Sequence, residues 1–210
     1  MNFFSRLFGI YFRPHTTCQF LAKKPVWIDT LIVLLIAILA FTYFLVPYTR
    51  MLEGIANPTR MAVVLRAVLW THLYLLGFLV SSLVLLVLSR LVSKDGHYSQ
   101  VFSMYIHANL IDKILGNAAR LYLLFNHQTL FKTSTSIAAF FPGVDVHSLS
   151  YAVAIQFDIF QLWLFAVLAL GLAAIFDMTV KKALCVSFGF WLMKSLFNIL
   201  LIMLGVGFIR

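Results

Sequence analysis

The residues of this chain whose types and spacing could do chemistry are concentrated in one stretch. Asn109, Asp112, Lys113, Gly116, Asn117 and Arg120 recur at i, i+3, i+4, i+7, i+8 and i+11, which puts them on one face of a helix. Leu110, Ile114, Leu115 and Leu121 fill the opposite face. A carboxylate, an ammonium and a guanidinium on an otherwise apolar helix suit three roles. They can line an ion or proton path, form a groove for a partner or a lipid head group, or neutralise one another and fix helix register. Arg66, Asp158 and Lys194 lie in neighbouring apolar stretches. Their depths pair Asp158 with Arg66 or Arg120, and Asp112 with Lys194 or Lys113. A proton relay calls for several titrating carboxylates, and here there are Asp112, Asp158 and, nearer one surface, Asp29. Mutual neutralisation is therefore favoured over a groove, and a groove over a path. Asn109, Asn117 and Asn198 would add interhelical hydrogen bonds.

The elements that must position these groups follow from composition. Of 210 residues, 62% are hydrophobic and 11% charged, against roughly 45–50% and about 25% in a soluble domain. Mean hydropathy is +0.97. So much apolar surface cannot be hidden in a fold of this size, and a bilayer must serve as solvent. The expected fold is all-α, a polytopic membrane bundle forming a single domain over residues 1–210. Five transmembrane helices are expected at about 27–46, 63–92, 101–125, 152–176 and 183–208, each meeting the ~20 residues a hydrocarbon core requires. The third, least apolar span carries the polar face, which must look away from lipid, because an ionised group at the bilayer centre costs at least ~2.5–3.5 kcal/mol.

Residues 1–25 read as a cytoplasmic amphipathic segment. Asn2, Arg6, Gly9 and Arg13 share one face of a short helix, Phe3, Phe4, Leu7, Phe8, Tyr11 and Phe12 the other, and Pro14 ends it. Such a helix suits the membrane surface, with Arg6 and Arg13 toward the head groups, and equally suits packing under the bundle; both placements can hold together. Basic residues set the orientation. With the N-terminus inside, Arg6, Arg13, Lys23, Lys24, Arg90, Lys94, Lys181 and Lys182 are cytoplasmic, and only Arg50, Arg60, Lys132 and Arg210 lie outside. The C-terminus is then outside. The net charge of +9 reflects these loops and anionic lipid rather than nucleic acid. In the longest connection, from Asn126 to Tyr151, a Ser/Thr-rich stretch and an apolar patch from Ile137 to Phe141 suggest a short surface helix before Pro142-Gly143.

Several chemistries drop out. Glu53 is the only glutamate, which excludes an HExxH zinc helix, and the nucleophile-elbow, phosphate-loop and dinucleotide fingerprints are missing. Cys18 and Cys185 have no metal-binding or redox spacing and read as free cytoplasmic thiols. His72 and His107 each stand alone on a helix face, which argues for satisfied interior histidines rather than metal ligands. No cofactor or metal is expected. Ala166, Ala169 and Ala173 form a small-residue seam on the fourth span.

Longer patterns carry a resemblance. Arg6-Leu7-Phe8, Arg13-Pro14, Phe20-Leu21-Ala22-Lys23-Lys24-Pro25 and a Trp-led first span resemble the start of bacterial members of the Yip family, named for proteins that interact with Ypt/Rab GTPases. Asp158-Ile159-Phe160-Gln161-Leu162-Trp163, Gly171 and Lys181-Lys182-Ala183-Leu184 resemble that family's closing segment. The third span departs from the family pattern, which is apolar and often holds a proline there. The resemblance implies five spans, a bacterial cytoplasmic (inner) membrane and no active site, some bacterial members standing beside ABC-type exporters as accessory subunits. The expected function is a non-catalytic accessory or scaffolding subunit of a larger membrane assembly, an ABC-type transport or lipid-handling system. Its partners would be membrane lipids and another membrane subunit, with a homo-oligomer left open. The alternative is a small transporter or lipid-binding protein using the charged crevice.

Overall fold

A computed structural model describes residues 1–52, 59–93, 95–127, 134–141, 143–145 and 148–204, without the side chains of residues 46–52 and 127. Among the described residues the chain is all-helical. An N-terminal pair, α1 (Phe3–Phe12) and α2 (Pro14–Lys23), precedes the long helices α3 (Ile28–Leu52) and α4 (Arg60–Arg90). Next come α5 (Tyr98–Leu110), a π-helical segment (Ile111–Gly116) and α6 (Asn117–His127), which follow one another without a break. A 3₁₀ turn (Ile137–Phe140), α7 (Leu149–Ala154), α8 (Ile159–Ile175) and α9 (Val180–Met203) complete the bundle. Of the residues used to assign orientation, Lys94, Lys132 and Arg210 lie outside the described set, as do Glu53, Pro142 and the fifth span beyond Leu204.

Three helices are long and apolar enough to cross a membrane by length and composition: α3, α4 and α9. The other two expected spans are interrupted. The third contains the π segment, and the fourth is divided between α7 and α8. Residues 155–158 leave the α7 helix, and α8 restarts because the Asp158 carboxylate caps it, accepting from the amides of Phe160 at 2.9 Å and Gln161 at 3.3 Å. Asp158 is thus a helix cap and not an interior residue of a span.

The most buried helix, α5, belongs to the third expected span, the least apolar of the five. Every residue of α5 from Val101 to Leu110 is buried, as is the stripe of α8 that includes Leu164, Phe165, Leu168 and Leu172. These helices meet closely at Gly171, where a Cβ would collide with the Met104 side chain. The expected alanine seam is only partly a contact, since Ala169 is buried and Ala166 exposed. The outer helices instead show large apolar residues, Ile28, Ile32 and Ile36 on α3 and Leu65, Leu69, Leu76 and Leu83 on α4. Polar groups inside and apolar groups outside suit a hydrocarbon solvent.

The N-terminal helix packs against the bundle, and it does so through the face expected to point outward. Asn2 caps it, accepting from the Ser5 amide at 2.8 Å, but the buried face is the one with Arg6 and Gly9. Gly9 leaves room for Thr17 as α1 folds back on α2. Arg6 pairs with Asp29 at the start of α3, while Phe4, Phe8 and Phe12 are exposed. A buried guanidinium needs a counter-charge, and Asp29 supplies it. On that face Asn2 and Arg13 keep their outward position. The pair is also tied down by Tyr11, whose hydroxyl donates to the Leu110 carbonyl at 3.0 Å, and by Gln100, which donates to the Ala22 carbonyl at 2.6 Å.

Candidate functional site

The charged residues of the third span meet inside the bundle, organised by Arg120. Its Nη2 donates to Asp112 Oδ1 and to Asp158 Oδ2, each at 2.8 Å. Its Nη1 donates to Asn117 Oδ1 at 2.9 Å, and its Nε to Thr135 Oγ1 at 3.2 Å. Thr135 in turn donates to Asp158 Oδ2 at 2.5 Å. The other oxygen of Asp112 meets Lys113 Nζ at 2.8 Å, and this ammonium stands 4.7 Å from the centre of the Tyr74 ring. Side-chain exposure is 1% at Asp112, 6% at Asp158, 10% at Lys113 and 13% at Arg120, so water does little to screen the cluster.

Local backbone structure explains why these groups converge. Asp112 and Lys113, neighbours in sequence, are both buried within the π segment. Its wider turn shifts the residues that follow relative to an uninterrupted α-helix. Gly116 leaves the path open: a Cβ there would lie 3.2 Å from Arg120 Nη1 and Asp112 Oδ1, and 3.3 Å from the Phe160 Cβ. Thr135 is delivered by a short antiparallel pairing of residues 135–137 with 157–159. The Ile137 amide donates to the Phe157 carbonyl at 3.1 Å, and the Ile159 amide to the Thr135 carbonyl at 3.4 Å.

Of the residues proposed from sequence, Asp112, Lys113, Asn117, Arg120 and Asp158 come together, and Arg120, not Arg66, is the partner of Asp158. Arg66 is exposed on α4 and makes none of the ion pairs of the cluster. Asp112 is held by Lys113 and Arg120, while Lys194 stands over the Phe165 ring at 5.9 Å. Asn109 is buried but donates to the Tyr105 carbonyl of its own helix at 2.8 Å. Asn117 likewise binds within its own span. Asn198 does reach beyond its own helix, donating to Gln156 Oε1 in the α7–α8 connection at 3.2 Å. Thr135 and Tyr74 were not foreseen. The Ser/Thr-rich stretch was the only trace of Thr135, and nothing marked out Tyr74.

A second polar chain starts at the Arg6–Asp29 pair. Asp29 Oδ1 accepts from the Thr30 amide at 2.7 Å, and Thr30 Oγ1 meets His107 Nε2 at 3.0 Å. His107 Nδ1 meets the Ser103 carbonyl at 2.8 Å, making His107 the satisfied interior histidine expected. His72 departs from that expectation, since it is exposed and its Nδ1 meets only its own helix, at the Val68 carbonyl, 2.8 Å away. Both cysteines are free, Cys18 buried and Cys185 exposed. Burial pushes the Cys18 thiol up to about 12.

Chemically, the main cluster sets two carboxylates against two cations, and the Arg120 guanidinium donates to acceptors within it. It joins the π segment, α6, the N-terminal cap of α8 and the 135–137 segment with charge-assisted hydrogen bonds. Among the described residues no group of three or more His, Cys, Asp or Glu side chains could hold a metal ion. Comparison with known protein families, with curated proteins and with solved structures gives no match for this chain.

Proposed function

We propose that this chain is a five-span protein of the bacterial cytoplasmic membrane that works by contact, as a non-catalytic accessory or scaffolding subunit of a larger membrane assembly. The assembly would be an ABC-type transport or lipid-handling system. The N-terminus would be cytoplasmic, the C-terminus outside, and the chain a bacterial-type member of the Yip family. Besides α3, α4 and α9, the spans would be the continuous α5–α6 run and α8 with its capped entry. The observation that carries the reading is the self-neutralised cluster. Arg120 binds Asp112, Asn117, Thr135 and Asp158 within one chain, so these charges serve to hold helices together. A conducting path would need groups left free to exchange partners.

Native mass spectrometry tests this on the tagged protein, released from its own host in a mild detergent or polymer. A stoichiometric second polypeptide supports the reading. A clean monomer or homodimer rejects it and returns attention to a transporter using the charged interior. The Asp158→Asn variant separates the two classes further. In a scaffold it loosens the fold and lowers expression, whereas in a transporter the fold survives while transport is lost.

A further inference from the structure

Helix α4 carries a polar group where a lipid-facing helix should have none. Leu65, Leu69, Leu76 and Leu83 form an exposed stripe, each more than half exposed. At about 100° per residue His72 falls in the middle of that stripe, and it too is exposed. Its height in the bundle can be fixed. The α5–α6 run, from Tyr98 to His127, is centred on Asp112 and Lys113, and Lys113 lies against Tyr74. Tyr74 is also next to the middle of α4, which runs from Arg60 to Arg90. His72 therefore lies within a turn of mid-height, some 18 Å along the helix from Arg60 at ~1.5 Å per residue.

The ring's hydrogen bonding is half complete. Nδ1 meets the Val68 carbonyl, which can only accept, so the proton of a neutral ring sits on Nδ1 and Nε2 is an acceptor. Among the described residues Nε2 has no partner. Arg66, exposed and nearer the Arg60 end, likewise has no ion-pair partner among the described residues. A lone acceptor facing hydrocarbon near the bilayer centre is costly, and such groups normally face protein.

We infer that this face of α4 is where one transmembrane helix of a different subunit docks, offering His72 a hydroxyl or amide donor at mid-depth and Arg66 a carboxylate nearer the Arg60 end. The inference rests on the membrane-subunit reading above and names its contact surface. A second copy of the chain does not fit. Copies related by a two-fold axis along the membrane normal bring equal residues to equal depth, setting one Nε2 acceptor against another and one Arg66 against another.

The test uses the full chain in its own host. Native mass spectrometry follows the second polypeptide in the wild type, His72→Leu and His72→Gln, and a photoreactive residue replaces Leu69, Leu76 or, as a control on α9, Leu200. His72→Leu removes the acceptor but suits an exposed apolar site, so the chain itself should melt no lower than the wild type. The retained partner should fall tenfold or more with His72→Leu and largely return with His72→Gln, whose side-chain oxygen also accepts. Crosslinks from positions 69 and 76 should reach a partner helix within a turn of a Ser, Thr, Asn or Gln. A second polypeptide that His72→Leu leaves bound, or that crosslinks only from position 200, overturns the docking face while sparing the subunit reading. A homodimer crosslinked through positions 69 and 76, or a wild type with no second polypeptide, overturns both.

Discussion

Asp112 and Asp158 accept hydrogen bonds from the same nitrogen, Arg120 Nη2, each at 2.8 Å. Two carboxylates so close would repel if the guanidinium between them were gone. Removing one partner of a buried ion pair typically costs ~3–5 kcal/mol. Arg120→Leu is expected to lower the melting temperature of the detergent-solubilised protein by well over ten degrees, or to abolish accumulation. Arg120→Lys should recover only part of this, because an ammonium cannot reproduce a fork that reaches Asn117, Thr135 and both carboxylates. An Arg120→Leu protein melting like the wild type would show that the cluster does not hold the fold.

The space at Gly116 gives a smaller, sharper effect. Gly116→Ala presses a methyl against Arg120, Asp112 and Phe160, and overpacking of this kind costs ~1–3 kcal/mol. Gly189→Ala meets nothing within 4 Å and gains helix propensity. Thermal melts of the two variants should move in opposite directions. Equal shifts would mean that backbone entropy, not contact, sets the effect at position 116.

The thiols should separate kinetically. With its ionisation pushed up to about 12 by burial, Cys18 stays protonated and inaccessible at pH 7 to 9, whereas Cys185 is exposed. Intact mass after a membrane-permeant maleimide should show one adduct in the folded protein and two after denaturation. The linkage has a definite sign. The unfolded thiol ionises near its ordinary value of 9.0 and the folded one only near 12, so this contribution to stability is complete below pH 9 and is lost as pH rises toward 12.

The Arg6–Asp29 pair ties the N-terminal helices to α3. Asp29 is partly exposed, so the pair contributes less to global stability than the buried cluster does. Its effect should be local. Arg6→Ala or Asp29→Asn should raise amide hydrogen exchange in residues 3–23 by an order of magnitude or more while leaving α8 protected. Uniform deprotection of both regions would show that the helix pair unfolds with the whole bundle.

How far the sequence could be read depended on whether local pattern or distant packing decided each position. Helical spacing was enough to group Asp112, Asn117 and Arg120, because all three lie in one continuous helical run. The π segment leaves no mark in composition, since it changes hydrogen-bond spacing and not polarity. Asp158 could have been read as a cap, an Asp directly before an apolar run. Apolar residues on both sides hid the break. The periodicity of residues 2–13 gave two faces but not which face was buried, and the Arg6 face went inward because Asp29 waits there. His72 and His107 are alike as lone histidines in apolar helices. Each meets the carbonyl four residues back on its own helix, and only Thr30, brought close by packing, gives His107 a partner from another helix.

The bridge from Arg120 to Asp158 also bears on how the protein is made. Synthesis runs from the N-terminus, so the third span emerges with Lys113 and Arg120 against Asp112 alone, an excess of one positive charge. The balancing carboxylate is Asp158, which arrives only after the long connection and α7 have been translated. If the α5–α6 run crosses the membrane as proposed, it is until then poorly suited to lipid and would be sheltered by the insertion machinery or by the helices before it. In the five-span arrangement proposed above, release into the bilayer would be coupled to completion of α8, and a ribosome stalled between His127 and Asp158 would leave a chain that quality control could recognise by its excess positive charge.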